Sequence, residues 1–184
     1  QPFRTDGCLG GCQSGSCLHA TVPYADRSIL RDLYLGEGRL GAGTKILFAG
    51  GENGSVRYNT VDIYDIVSGT WSTSNLSEAR SGLAATSLGN QIYFAGGING
   101  NGQASNRVDI YDVTTGAWSI DSLSQARGYL SAGTAGNKVV FAGGEDAFAS
   151  TVYATVDILD PATGAWSTST LTTGRSRCGA ASIG

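Results

Sequence analysis

One histidine, no methionine, three prolines and two lysines are the scarcities of this 184-residue chain, and each of them excludes something. With His19 as the sole imidazole, no serine or cysteine nucleophile has a base of the usual kind within this sequence. Lacking methionine even at position 1, the chain reads as a processed or partial polypeptide, and loss of a signal peptide would leave Gln1 as the mature start. No apolar run approaches the ~18 residues that a membrane helix requires. Basic charge is also thin: ten Arg and two Lys stand singly along the chain against 15 acidic residues, for a net charge of -3. That distribution excludes an electrostatic grip on nucleic acid or on an anionic membrane, so neither is expected as a partner.

What the chain has in excess is glycine. The 28 glycines are about 15 % of the residues against a usual ~7 %, without the every-third-residue period of collagen, so the chain is turn-rich and an all-β class is expected. The glycines belong to a repeat. Phe-Ala-Gly-Gly occurs at Phe48 to Gly51, Phe94 to Gly97 and Phe141 to Gly144. Val-Asp-Ile-Tyr-Asp at Val61 to Asp65 returns at Val108 to Asp112 and, with Leu159 for Tyr, at Val156 to Asp160. Trp71, Trp118 and Trp166 follow, then Arg80, Arg127 and Arg175, so three copies of one unit of about 47 residues are present.

Within the second unit, Leu83 to Leu88 forms strand a, Gly89-Asn90 is a turn signal, and Gln91 to Ala95 is the β-rich strand b. Gly96-Gly97 ends strand b, a polar loop runs from Ile98 to Arg107, and Val108 to Tyr111 alternates as strand c. A tight Asp112-to-Gly116 turn leads into strand d with Trp118, since Asp bonds its own following backbone and Gly accepts positive φ. Each unit is therefore expected to be a four-stranded antiparallel sheet, the content of one propeller blade.

A hydrophobic run ending in Gly-Gly (Gly50-Gly51, Gly96-Gly97, Gly143-Gly144), a spaced Tyr64 or Tyr111, a Trp a few residues on and an Arg opening the next unit together resemble the kelch repeat. The resemblance covers roughly residues 36–184 and departs from the pattern at Leu159. It implies kelch-type β-propeller blades at residues 36–79, 80–126 and 127–174, an incomplete ring, and the first strand of a fourth unit at 175–184. Residues 1–35 form a Cys-rich N-terminal segment outside the blades.

The repeated residues have a structural reading. Gly-Gly permits close backbone approach, and the aromatic and Trp side chains are expected to be buried between one blade and the next. Asp62, Asp109 and Asp157 recur at one strand position, which points to a repeated hydrogen bond rather than a carboxylate cluster. The three Arg are expected to bond backbone carbonyls between blades. Some kelch propellers are copper radical oxidases, and that resemblance implies two Tyr and two His ligands, a set that a chain with only His19 cannot supply. The sialidase Asp-box, a phosphate-cradling Gly-x-x-x-x-Gly-Lys and a Gly-x-Ser-x-Gly elbow are missing as well. No catalytic residue, metal site or cofactor is expected.

Cys8, Cys12, Cys17 and His19 fall within twelve residues, closer than zinc sites usually set their ligand pairs, so disulfides are favoured. Cys178 is expected to pair with one of that trio, and an oxidising, extracellular compartment follows. Asn53-Gly-Ser55 and Asn75-Leu-Ser77 are glycan acceptor triplets, expected on the same face of the first blade. The loops between strands b and c offer Arg57, Tyr58, Phe148 and Tyr153 as binding residues.

Two arrangements remain open for the ring. The chain is either part of a longer kelch domain, or its fourth-unit strand pairs with the first blade of a neighbouring copy, head-to-tail, as the first unit's own strand at Glu37 to Ala42 is poor. The function expected is a secreted, glycosylated, non-catalytic scaffold acting by protein–protein interaction and assembling into a filament. The alternatives are a ligand- or glycan-binding part of a longer propeller and a fragment of a secreted kelch oxidase.

Overall fold

The computed structural model describes residues 44–54 and 56–182, and they are all-β. The Cys-rich segment and Glu37 to Ala42 lie outside the described residues. Three antiparallel sheets follow one another along the chain. The first contains β1 (Lys45–Ala49), β4 (Thr60–Asp65) and β5 (Thr70–Asn75), with a small hairpin of β2 (Glu52–Asn53) and β3 (Val56–Arg57) in its b–c loop. The second has four strands, β7 (Ala84–Leu88), β8 (Gln91–Ala95), β10 (Arg107–Asp112) and β11 (Trp118–Ser122), and the third likewise, β12 (Ser131–Ala135), β13 (Lys138–Ala142), β14 (Thr155–Asp160) and β15 (Ala165–Thr170). The two remaining short strands, β6 (Arg80–Ser81) and β9 (Ile98–Asn99), pair the link between blades with the b–c loop of the second blade.

Local chemistry explains the strand ends. At the c–d turn of the second blade, Asp112 Oδ1 accepts the N–H groups of Thr114 and Thr115 at 2.9 Å each, and Gly116 at φ 73° closes the turn on the Asp112 carbonyl at 2.8 Å. Strand b ends at Gly96 and Gly97 because the link to the next blade crosses there. A Cβ on Gly96 would lie 2.5 Å from the Arg127 carbonyl, and both glycines have positive φ, 66° and 105°.

Period-two alternation gives each sheet two apolar faces. On β8, Ile92 and Phe94 join Leu47, Val61 and Ile63 of the first blade, while Tyr93 and Ala95 join Val139 and Phe141 of the third. The core is thus two layers, one at each blade junction, and the second blade contributes to both. Leu159, which departs from the repeat's Tyr, is buried in the second layer and fills the place that Tyr111 takes in the first.

The described part of the expected fourth-unit strand, residues 178–182, has no ladder pairing. It runs beside β12, where Ser182 Oγ accepts the Thr134 N–H at 2.8 Å and the Cys178 carbonyl accepts from the Ser131 hydroxyl. In the complete blades the a-strand pairs with its own b-strand, β7 with β8 and β12 with β13.

Candidate functional site

The most constrained polar groups lie at the blade junctions. Arg80, in the link after the first blade, is fully buried and donates to the carbonyls of Gly96 at 2.6 Å and Arg107 at 2.8 Å and to the Asp109 carboxylate. Arg127 repeats the arrangement one blade on, donating to the Gly143 carbonyl at 2.7 Å and pairing with Asp157 at 2.7 Å. The other oxygen of each carboxylate accepts a backbone N–H of the link, Ser77 to Asp109 and Ser124 to Asp157, at 3.0 Å in both. Burial lowers the pKa of Arg80 and the Asp109 charge opposes that shift, so the guanidinium remains charged. The repeated Asp and Arg are hydrogen-bonding clamps between blades, as the repeat implies.

Trp118 and Trp166 pack against the core layers between blades as expected, but the indoles are less buried than expected. Trp71 is 49 % exposed, and Trp118 and Trp166 are only half-buried, because each stands on the d-strand at the blade's outer edge. Each covers its own blade's aromatics: Trp71 lies 4.9 Å from Tyr64, and Trp118 lies 5.0 Å from Tyr111, between ring centroids. Two of them also reach the preceding blade. The Trp118 Nε1–H donates to Ser74 Oγ at 2.9 Å, and that of Trp166 donates to Asp121 Oδ2 at 2.8 Å.

The four candidate binding residues fall on two loops. Arg57 and Tyr58 lie on the first blade, Phe148 and Tyr153 on the third, and the second blade packs between them. Arg57 is engaged by Ser81 Oγ at 3.0 Å and by Glu52 at 3.4 Å, whereas Phe148 is 87 % exposed. Asn53 and Asn75 are both exposed. The Leu76 N–H bonds the Asn59 carbonyl at 2.7 Å, bringing the end of β5 beside the b–c loop that carries Asn53. Cys178 is half-buried against Ser131 and has no disulfide with another described residue; Cys8, Cys12, Cys17 and His19 lie outside the described residues.

A hollow of about 190 Å³ beside residues 180–182 is lined by small residues such as Ala132, Gly133, Ala142 and Ala180 and by no ionisable side chain. Among the described residues, no three His, Cys, Asp or Glu side chains converge as metal ligands would.

A family model, the Kelch motif, matches residues 42–74 and 79–120, ranges that include Gly50-Gly51 and Trp71, and Arg80, Gly96-Gly97 and Trp118. The chain carries kelch motif repeats. It is also 34 % identical over 105 residues to the Kelch repeat protein M-T8 of Myxoma virus (strain Lausanne), a match spanning 53 % of this chain and 20 % of that protein. The chain thus covers about a fifth of that relative's length. The third repeat unit lies beyond the matched residues, but its strand register repeats the second: Phe94 faces Asp109, and Phe141 faces Asp157.

Sequence reasoning located the clamps and missed the outward faces of the end blades. Ile46 is 38 % exposed, where its counterparts Ile92 and Val139 are buried. At the other end Leu171 is half-buried, where Leu76 and Leu123 are buried. The signal was available in the alternation of β1, which is apolar on both faces although only one can meet the second blade.

Proposed function

We propose that this kelch-repeat chain is a non-catalytic protein-interaction scaffold that works through the open faces of its end blades. The observation that carries the reading is the contrast between junctions and ends. At both junctions Arg, Asp and Trp are engaged, whereas Trp71, Ile46 and Phe48 on one end face and Val140, Ile158 and Leu171 on the other remain partly or largely exposed. Apolar sheet faces of this kind favour a protein surface as occupant. An extracellular, glycosylated state fits the exposed Asn53 and Asn75, since sugar on one end of the blade leaves its outward flat face accessible.

A zero-length carboxyl–amine crosslink on native material, followed by peptide mass spectrometry, tests the scaffold. Intermolecular peptides from the end blades are expected, to this chain or to another protein, and their complete absence overturns the reading. A second reading, binding of a small ligand or glycan by the b–c loops, is favoured by Phe148 at the tip of its loop. It predicts that Phe148→Ala abolishes ligand capture on a glycan array and leaves the crosslinks intact.

A further inference from the structure

Three Asn-Gly pairs occur in the chain, Asn53-Gly54, Asn99-Gly100 and Asn101-Gly102. Each holds an electrophile and a nucleophile in one dipeptide, because the backbone nitrogen of a glycine reaches the Cγ of the preceding asparagine with no Cβ in the way. The structure restrains the three differently. Asn99 is tied at both ends of its amide: Nδ2 donates to Glu78 Oε1 at 2.9 Å, and Oδ1 accepts the N–H groups of Asn101 at 3.1 Å and Gln103 at 3.0 Å. Its backbone is fixed as well, paired with Arg80 in β9 and donating to the Gln103 carbonyl at 2.8 Å. Asn53 has an exposed side chain, but its backbone is paired with Val56 across the β2–β3 hairpin. Asn101 stands in the b–c loop of the second blade, exposed, outside any strand, and with no side-chain hydrogen bond among the described residues. The Gly102 N–H after it makes a single turn bond to the Asn99 carbonyl at 2.9 Å, and a Cβ placed on Gly102 would meet nothing within 4 Å.

We infer that Asn101 is a self-modification site, at which the folded chain converts asparagine to aspartate and isoaspartate through a succinimide, ahead of Asn53 and Asn99. The Gly102 nitrogen forms a bond to Cγ of Asn101, the Cγ–Nδ2 bond breaks, and the proton lost by Gly102 leaves with Nδ2 as ammonia. Water then opens the ring at either carbonyl, with no change of oxidation state. Opening at the backbone carbonyl gives isoaspartate, which adds one carbon to the main chain and a new carboxylate beside it. Both changes fall inside the turn from Asn99 to Gln103, whose two ends Asn99 holds together, so the product loosens that turn and with it the Asn99 bond to Glu78. Asn101-Gly102-Gln103 is not a glycan acceptor triplet, so sugar does not block this amide.

Asn99 and Asn101 share the same following residue, so a difference in their rates reports structure alone. The full chain is incubated in mildly alkaline buffer below its melting temperature and, separately, in urea. The peptide spanning both asparagines is then read by mass spectrometry with electron-transfer fragmentation, which separates the two positions and distinguishes aspartate from isoaspartate. In the folded chain Asn101 is expected to convert, with Asn99 roughly tenfold or more slower because it must first give up its side-chain hydrogen bonds. In urea the two are expected to convert at comparable rates. Glu78→Ala removes one tie on Asn99 and is expected to raise the Asn99 rate severalfold without moving that of Asn101. If that variant melts early, the folded-against-urea comparison of the unsubstituted chain decides alone. Equal rates at Asn99 and Asn101 in the folded chain overturn the inference, as does an Asn53 that converts first. So does an Asn101 that stays intact in the folded chain while converting in urea, and so does an Asn99 rate unmoved in a folded Glu78→Ala chain.

Discussion

Asp146 fixes the loop that displays Phe148. Its Oδ1 accepts the N–H groups of Phe148 at 3.1 Å and Ser150 at 2.9 Å, and its Oδ2 accepts the Ser150 hydroxyl at 2.6 Å. These bonds, the Ser150 hydroxyl foremost, hold its pKa at about 2, below the ordinary 3.8. A depressed carboxylate favours the ordered loop above the ordinary value, and that contribution is lost as pH falls through about 2. The Phe148 and Ser150 amide shifts in an NMR titration are therefore expected to move together with a midpoint near pH 2; a midpoint near 4 would show that the bonds do not form in solution. At the blade junction the governing quantity is space. Gly96→Ala is expected to destabilise by at least about 1–3 kcal/mol, because positive φ and a nearby carbonyl both resist a Cβ. Urea unfolding measures it.

At the scale of the element, the same residue type has different weight according to what its strand or link faces. Arg127 is buried between two blades, so Arg127→Ala leaves Asp157 uncompensated and is expected to cost about 3–5 kcal/mol. Arg175→Ala removes a side chain exposed to solvent, and for the monomer is expected to fall within about 0.5 kcal/mol of no change. Equal losses at the two positions in denaturant unfolding would refute the clamp. The tryptophans divide likewise. Trp118→Ala removes a half-buried ring and its bond to Ser74, for about 2–3 kcal/mol, whereas Trp71→Ala is expected to cost under about 1 kcal/mol in the monomer because the ring lies at an uncovered edge. Thermal melts of the two variants at low protein concentration rank them.

Across the whole molecule, stability is a property of neighbours. The second blade packs on both sides, the first and third on one side each within the described residues. In such a stack each blade's protection is set by its interfaces, so the slowest-exchanging amides are expected in β8 and β10 and the fastest in β5 and β15. Hydrogen exchange read by mass spectrometry distinguishes this from uniform protection. The disulfides expected from the sequence belong to this scale too. Thiol titration in denaturant is expected to find none of the four cysteines free, and two or more titratable thiols would remove the basis for an oxidising compartment.

Repetition let the sequence determine much of this protein. Three copies of Phe-Ala-Gly-Gly, Val-Asp-Ile and Trp at one spacing specify strands b, c and d, because local periodicity and turn chemistry act within a few residues of the chain. The Asp-to-Gly turns and the clamp residues were legible for the same reason. Other features depend on what stands beside a blade, which no local pattern encodes. The indoles are half-exposed because the d-strand is outermost; residues 178–182 are held beside β12 by hydroxyl bonds from and to Ser131, Thr134, Cys178 and Ser182 and not by a ladder. Identical residues at identical repeat positions also differ in fate, Asp109 and Asp157 buried and Asp62 exposed, Arg80 and Arg127 buried and Arg175 exposed. Sequence gives each of them the same chemistry; only the tertiary stacking decides which are covered, since burial and ion pairing require a second surface to close over the first.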